Sequence, residues 1–324
     1  MTFRSSAALL AGALALVAPG EATAQGAFPA KPITLVVSYA TGGSTDIITR
    51  VLARELTSQM GKPVLVDNRV GGGGVVGWSS VARAPADGYT LLAAELSFTI
   101  APGLLPNLPF DARRGFQQIA TATSVPHVQV VTASLPVKSV KDLIALAKAR
   151  PGELNFGSGG VGTNTHLGSE LFRILTGTNM VHVPYKGAGA VITDLIAGQV
   201  QVLISAVPTV LAHVKSGRLR ALMVTDDRRS SVLPGVPTVK ELNMPRMLMR
   251  FWVGYAAPAG TPQAVVERLN REIVAAVHAP DAKKRLEELG VDPVGNTSAD
   301  AAKLVSEEID RWAAVIKAAG IKPE

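Results

Sequence analysis

The sequence predicts an α/β protein of two lobes, each a mixed, mostly parallel sheet flanked by helices. Three observations support this fold class. Apolar, β-branched runs alternate with helical patterns along most of the chain. The length of 324 residues suits two lobes of ordinary domain size better than one small core. Two glycine-rich loops, at residues 38–46 and 157–166, each lead from a predicted strand into a predicted helix.

The first lobe begins with a β-α-β-α-β pattern. The uncharged, β-branched run at 32–37 predicts the first strand, and the spacing of apolar residues predicts a helix over 46–60. Strands at 64–66 and 89–92 and a short helix at 75–83 complete the pattern. This order predicts parallel pairing, with helices on both faces of the sheet.

A second α/β unit starts near Val125. Ser139 is the predicted N-cap of a helix that ends at Pro151-Gly152, and Gly198 ends a later helix. The predicted strands of this unit lie at 128–131, 154–156, 181–183, 202–204 and 219–225, and its helices at 139–150, 164–176, 190–197 and 210–215.

The last part of the chain is helical. Thr261 is the predicted N-cap of a helix with Pro262 at its first position. The predicted helices cover 262–277, 281–289 and 298–319, and we expect them to pack back on the first lobe. We place the crossings between lobes near 124–126 and 244–251. Lobe 1 is then residues 25–125 and 248–324, and lobe 2 is residues 126–247.

Residues 1–24 have the pattern of a cleavable signal peptide. Arg4 supplies a positive charge, residues 7–18 form a short apolar run, and Ala22-Thr23-Ala24 fits a signal-peptidase site. We predict cleavage after Ala24 and export to the periplasm. The chain contains no cysteine, so we expect no disulfide, no thiolate catalysis and no lipid anchor on an N-terminal cysteine.

The charge distribution argues against nucleic acid as a partner. The net charge is +7, but the basic residues are scattered and aromatic residues make up only 5% of the chain. A nucleic-acid-binding protein is expected to concentrate basic and aromatic residues on one face. The positive balance fits either mild steering of small anions or a solvated surface without a partner.

Two enzyme hypotheses compete with ligand binding. Residues 72–77 and 157–162 match G-x-G-x-x-G, as in an NAD-dependent enzyme, but the first match does not directly follow its strand. The strand after the second match carries no acidic residue at its end. A secreted hydrolase is the other alternative; the chain lacks G-x-S-x-G, and its histidines lack metal-ligand spacing. His166 is a candidate base, although bonding to nearby backbone at a helix start explains it better. We predict no cofactor and no metal.

The two glycine loops favour binding of an anion. A helix N-terminus carries amides without partners and the positive end of the helix dipole, and glycine lets a ligand approach the backbone closely. We expect a carboxylate to accept hydrogen bonds at 43–45, with 160–165 closing on the other end of the ligand. Charge-assisted bonds of this kind require no ion pair.

Eight short stretches, in order along the chain, resemble the Bug family, the TctC-type periplasmic solute receptors of tripartite tricarboxylate transporters. They cover essentially the whole predicted mature chain and lie at 31–37, 42–46, 67–69, 87–92, 163–167, 182–187, 220–225 and 257–262. The resemblance implies a Venus-flytrap (periplasmic-binding-protein) fold and a receptor rather than an enzyme. It also implies delivery of the ligand to inner-membrane transporter subunits or to a sensor, and we expect a monomer.

The resemblance further implies that a small organic acid binds between the lobes. Carried over residue by residue, the ligand-binding positions are Ala40, Thr41, Gly42, Gly43, Ser44, Thr45 and Asp46 in lobe 1, and Ser158, Gly159, Gly160, Thr163, Asn164, Thr165, His166 and Ser205 in lobe 2.

Some positions depart from the family pattern. Ser38 and Thr41 stand where prolines are usual, and Ser205-Ala206 stands where a polar or acidic residue is usual. Since Ser205 is a poor acceptor for an ammonium group, the sequence favours a non-amino organic acid. Glu95, at the end of the third predicted strand, is either the missing acceptor or a carboxylate in a surface loop.

Overall fold

The computed structural model describes residues 28–105 and 107–321. The predicted signal peptide and its cleavage site lie outside these residues. The N-terminal part follows the predicted alternation. Its elements are β1 (Ile33–Val37), α1 (Ser44–Met60), β2 (Val64–Asn68), α2 (Val75–Ala82), β3 (Thr90–Glu95) and α3 (Leu96–Leu104).

The remaining elements continue the alternation and end in helices. The middle part contains β4 (Phe116–Thr132), α4 (Val140–Ala149), β5 (Asn155–Ser158), α5 (Asn164–Thr176), β6 (Val181–Pro184), α6 (Ala188–Ala197), β7 (Val202–Ala206), α7 (Val207–Lys215) and β8 (Leu219–Val224). The C-terminal part contains β9 (Arg250–Pro258), α8 (Gln263–His278), α9 (Pro280–Glu288), β10 (Asp292–Pro293) and α10 (Ser298–Ala319).

Two groups of parallel strands are linked by antiparallel strands. β1 pairs in parallel with β2 and β3, and β5 pairs in parallel with β6 and β7. β9 pairs antiparallel with β3 and β4, and β4 pairs antiparallel with β7, β8 and β10. The predicted α/β fold class, with mixed sheets flanked by helices, is confirmed.

One strand, β4, connects the two sheets. Up to Pro126 it pairs with β9, where Pro126 lies opposite Arg250. From His127 onward it pairs with β7, where His127 lies opposite Ala206. The sequence predicted only residues 128–131 of this strand. The interior proline argues against a central strand, and Pro126 stands where the pairing partner changes.

Three further predictions differ from the structure. The sequence does not predict β9, because Gly254 lies inside the strand and Pro258 ends it. α3 was missed, because Pro102 lies inside it. Thr261 is not the N-cap of α8: Pro262 holds that position in an extended conformation (φ −55°, ψ 136°), and the Thr261 hydroxyl donates to Pro258 O at 2.8 Å.

The C-terminal helices α8 and α10 pack on helices of the N-terminal part and on β4. α10 packs against α3 and β4, and α8 packs against α1 and β4. Trp78, Tyr255 and Trp312 are among the largest buried side chains of the core. Within the described residues, no helix has the length and apolar character needed to cross a bilayer.

The sheet topology determines where the helices start. β1 and β3 run parallel and lead into α1 and α3; β5, β6 and β7 run parallel and lead into α5, α6 and α7. The carboxyl ends of parallel strands lie at one edge of a sheet, and ligands bind in α/β proteins at this edge. Each sheet therefore presents several helix N-termini on one side.

Candidate ligand-binding cleft

Five helix N-termini converge on one cavity. Three N-cap residues that line it are Gly43 for α1, Thr163 for α5 and Ala206 for α7. The N-cap of α3, Glu95, and the first residue of α6, Ala188, also line it. A helix N-terminus leaves its first-turn amides without an acceptor inside the helix, and the positive end of each of these helix dipoles lies at the cavity. The arrangement suits an anion.

The cavity is small, with a volume of about 30 Å³. This is room for about two water molecules. Its walls therefore have to separate before an organic acid can bind. The lining residues are Tyr39, Ala40, Gly43, Ser44, Thr45, Asp46, Glu95, Ser97, Gly159, Thr163, Asn164, Thr165, Ala188, Ser205, Ala206, Thr209 and Phe251.

Most of the residues expected to bind ligand lie together around this cavity. Those in its lining are Ala40, Gly43, Ser44, Thr45, Asp46, Gly159, Thr163, Asn164, Thr165 and Ser205. Five others belong to the same two loops but lie outside the lining: Thr41, Gly42, Ser158, Gly160 and His166. Thr41 and Gly42 are exposed, whereas Ser158 and His166 are buried behind the second loop.

Asp46 stabilises the first glycine-rich loop, residues 38–46, through hydrogen bonds. Its Oδ2 accepts a hydrogen bond from Gly42 N at 3.1 Å, and its Oδ1 accepts from Arg50 Nε at 2.9 Å and Asn68 Nδ2 at 3.0 Å. Burial would raise the pKa of Asp46, but these hydrogen bonds outweigh burial and hold the pKa below its ordinary value. The charged Asp46 thus fixes the loop around the first-turn amides of Ser44 and Thr45, for which α1 itself supplies no acceptor.

Hydroxyl groups hold the second loop. The Thr163 hydroxyl donates to Gly160 O at 2.6 Å, and Thr165 Oγ1 accepts from Gly159 N at 2.7 Å. Gly160 has φ +120°, a conformation that favours glycine. His166 Nδ1 accepts from Gly162 N at 3.3 Å, which is the backbone contact expected of a histidine at a helix start.

Hydrogen bonds cross the cleft directly. Ser44 Oγ lies 2.7 Å from Thr209 Oγ1 and accepts from Thr209 N at 3.2 Å. Ala40 N donates to Lys186 O at 3.0 Å. These bonds join the first loop to the starts of α6 and α7, so the structure shows the two walls in a closed arrangement.

Two glycines permit the closest approach between the walls. A Cβ on Gly189, in the first turn of α6, would lie 2.6 Å from Thr41 O. A Cβ on Gly73 would lie 2.2 Å from Val161 O. In both cases the obstacle is backbone, which has little freedom to move aside. Closure therefore depends on the absence of a side chain at these positions.

Glu95 is fully buried in the cavity wall, with an exposed fraction of 0%. Its Oε1 accepts from the Tyr39 hydroxyl at 2.7 Å. Its Oε2 accepts from Ser97 N at 2.8 Å, Ser97 Oγ at 3.1 Å and Asn164 Nδ2 at 2.9 Å. Burial raises the pKa of Glu95, and the hydrogen bonds partly oppose this. The alternative of a surface-loop carboxylate is wrong.

Comparison with known proteins decides the family. The family model described as "Tripartite tricarboxylate transporter family receptor" (TctC) matches residues 48–321. The chain belongs to the TctC receptor family.

Relatives of the TctC receptor agree with this assignment. Protein BugT of Bordetella pertussis is 39% identical over 297 residues, which cover 91% of each chain. The structure of the periplasmic binding protein BugD has a TM-score of 0.88 at 30% identity and covers 92% of this chain and 100% of its own. The structure of R. palustris Rpa4515 with adipate has a TM-score of 0.88 at 36% identity, with the same two coverages.

These similarities confirm the resemblance to the Bug family and the two-lobed periplasmic-binding-protein fold. The TctC family and its solved relatives are solute-binding proteins and not enzymes. The hypotheses of an NAD-dependent enzyme and of a secreted hydrolase are therefore wrong.

The cavity of this TctC receptor contains carboxylates but no basic side chain. Within the part of the chain that the structure describes, no Lys, Arg or His belongs to the lining, whereas Asp46 and Glu95 do. Asp46 forms an ion pair with Arg50. Glu95 has neutral donors as its partners. The cavity therefore offers an anion helix N-termini, hydroxyl groups and the side-chain amide of Asn164.

Several residues that line the cavity of this TctC receptor were not predicted from the sequence. Ser97 and Thr209 follow the ends of β3 and β7 closely, so the rule that strand ends carry binding residues could have found them. Phe251 has no such signal, because its strand was not predicted. The other residues missed are Tyr39, Ala188 and Ala206.

Proposed function

We propose that this protein is a periplasmic receptor that binds a small carboxylate-bearing solute between its two lobes. The observation that carries the proposal is the convergence of five helix N-termini, supplied by both sheets, on one cavity. Such termini bind anions without a basic side chain. The relative solved with adipate supports the same class of ligand.

The solute carboxylate accepts hydrogen bonds at 43–45, and residues 160–165 close on the other end of the solute. The proposed ligand-binding set has two parts. The cavity-lining part is Ala40, Gly43, Ser44, Thr45, Asp46, Gly159, Thr163, Asn164, Thr165 and Ser205. Thr41, Gly42, Ser158, Gly160 and His166 complete the set by shaping the two loops.

Binding is coupled to movement of the lobes. In this proposal, residues 25–125 and 248–324 form one lobe, residues 126–247 form the other, and the chain crosses near 124–126 and 244–251. A solute that contacts both walls binds the closed form better than the open form, and so increases the population of the closed form. A membrane partner then recognises the closed shape.

The family and the N-terminal sequence support a cellular location and a partner for the protein. The signal peptide at 1–24 directs export, and the mature monomer works in the periplasm. It passes its solute to the inner-membrane subunits of a tripartite transporter, or reports the solute to a sensor. The family description names a receptor of such transporters.

A thermal-shift screen of the mature protein tests the proposal. The panel contains aliphatic, aromatic and amino-substituted carboxylic acids, each paired with its neutral amide. We expect at least one acid to raise the melting temperature in a concentration-dependent way, while its amide does not. If no acid stabilises the protein, the proposed function is wrong.

A further inference from the structure

The carboxylate of Glu95 occupies the anion-binding position at the N-terminus of α3. It is the N-cap residue of this helix, and its Oε2 accepts from the first-turn amide of Ser97. The same oxygen accepts from Ser97 Oγ and Asn164 Nδ2. These are the donors that a second carboxylate of a ligand would need at this end of the cavity. One of the five anion sites is therefore already filled by the protein.

Within the described residues, none of the groups that donate to Glu95 is charged. Its partners are the hydroxyls of Tyr39 and Ser97, an amide of Asn164 and a backbone N–H. Among the described residues, no basic side chain lines the cavity. A buried carboxylate repels a second one nearby and attracts a cation, because little solvent separates them. The electrostatics thus oppose a ligand dianion and favour a cationic group beside Glu95.

Glu95 has acceptor capacity left for such a group. A carboxylate oxygen accepts about two hydrogen bonds. Oε2 already accepts three, whereas Oε1 accepts only from Tyr39 within the described chain. Glu95 belongs to the cavity lining although it is buried from bulk solvent. Because Glu95 and its partners Tyr39, Ser97 and Asn164 all line the cavity, a group that binds there lies close to this remaining acceptor position.

We infer that Glu95 makes this receptor select acids with one carboxylate and one protonated nitrogen over dicarboxylates. The carboxylate of such a zwitterion binds at the starts of α1 and α5, and its nitrogen donates to Glu95 Oε1. This inference rests on the proposed function. It also replaces the expectation of a non-amino acid, which depended on Ser205 as the acceptor at the cleft.

Matched pairs of acids test the inference by titration calorimetry on the mature protein. Each pair keeps the carbon chain and exchanges ammonium for carboxylate: glycine and malonate, β-alanine and succinate, γ-aminobutyrate and glutarate, and para-aminomethylbenzoate and para-carboxyphenylacetate. In the pair that binds most tightly, we expect the zwitterion to bind about tenfold or more tightly than its dicarboxylate partner.

Glu95→Gln identifies the residue responsible. The variant keeps the shape of the Glu95 side chain but removes its negative charge, so the affinity for the zwitterion should fall about tenfold or more. The preference for the zwitterion over its dicarboxylate partner should become smaller or reverse. Glu153→Gln is the matched control, because Glu153 is exposed and is not part of the cavity lining. An unfolded variant binds neither acid, so an inverted preference cannot arise from loss of structure. If Glu95→Gln does not fold, the wild-type pairs still decide.

Two outcomes separate this inference from the proposed function. If dicarboxylates or simple acids bind the wild-type protein better than zwitterions, or if Glu95→Gln keeps the wild-type preference, the inference is overturned and the receptor function stands. If no acid of any class binds, the proposed function fails, and the inference fails with it.

Discussion

Asn164, at the start of α5, holds Glu95 on the opposite wall: its Nδ2 donates to Glu95 Oε2 at 2.9 Å. The other side of the Asn164 amide faces β4, where Oδ1 lies 2.8 Å from His127 Nε2. Since Nδ2 donates to a carboxylate, Oδ1 is the acceptor, and His127 carries its proton on Nε2. The side-chain amide of Asn164, on one wall of the cleft, therefore contacts both Glu95 on the opposite wall and His127 on β4, the strand that joins the two sheets.

Replacement of this amide by a carboxylate is expected to disrupt closure. Asn164→Asp puts a second carboxylate at hydrogen-bonding distance from Glu95, and like charges in a buried site repel strongly. We expect the affinity for a stabilising acid to fall about tenfold or more at neutral pH. Asn179→Asp, on the exposed surface, is the control for the added charge. Unchanged binding by Asn164→Asp in calorimetry would show that the Asn164–Glu95 contact plays no part in the bound state.

Gly189→Ala separates closure from folding. Alanine is a better helix former than glycine, so the open form of the unliganded protein should keep its stability or gain up to about 1 kcal/mol, as its melting temperature measures. In the closed form the new Cβ would meet Thr41 O at 2.6 Å, so ligand affinity should fall about tenfold or more. Gly235→Ala is the control, because a Cβ there meets no atom within 4 Å. Equal affinities in calorimetry would mean that the walls do not close this tightly around a ligand.

Gly43→Val tests the first loop. Gly43 has an ordinary extended conformation (φ −76°) and tolerates a Cβ, whose nearest atoms would lie 3.8 Å away. The branched side chain would nevertheless fill space at the start of α1, so binding should be lost while the fold is retained. Circular dichroism checks the fold and calorimetry checks the binding. Gly235→Val, at a position where a Cβ would meet no atom within 4 Å, is the matched control and is expected to bind normally. Full binding by Gly43→Val would refute the assignment of this loop.

The stability of the protein should fall on mild acidification because of His127. Burial lowers the pKa of His127 from 6.5 to about 4. Between these values the unfolded chain binds a proton that the folded chain does not, so the free energy of unfolding decreases as pH falls. From about pH 7 to about pH 5 the loss from this group is about 2 kcal/mol.

Urea unfolding of the wild-type protein and His127→Gln, at several pH values, measures this contribution. Titratable groups that contact neither His127 nor Asn164 behave alike in both proteins and cancel in the difference. The variant should lose less stability than the wild type over this pH range, whatever its stability at neutral pH. Parallel pH profiles would contradict the pKa assigned to His127.

The sequence predicts the parts of the fold that depend on local patterns. α5 (Asn164–Thr176) and α10 (Ser298–Ala319) match their predicted bounds, because a capping residue or a glycine marks each end. α1 starts at Ser44, two residues before its predicted start at 46, because Gly43 takes the N-cap position without a side-chain hydrogen bond. β4 and β9 depend instead on pairing between distant segments, and local patterns with Pro126 and Gly254 point away from strands.

The same limit applies to the cleft. The two glycine loops are visible in the sequence, because strand, loop and helix follow each other directly. The position of Glu95 opposite Asn164 is not visible, since it requires two separate parallel strands to end on facing walls of the cleft. A strand-end carboxylate alone is equally compatible with a solvent-exposed loop. Only the three-dimensional arrangement decides between these alternatives.

A crystal structure with the most strongly stabilising acid tests the central claim most directly. The account predicts the acid between the lobes, with a carboxylate oxygen within hydrogen-bonding distance of the amides of Ser44 and Thr45. An acid bound elsewhere, for example in the basic groove formed by Arg228, Arg229 and Arg250, would contradict it.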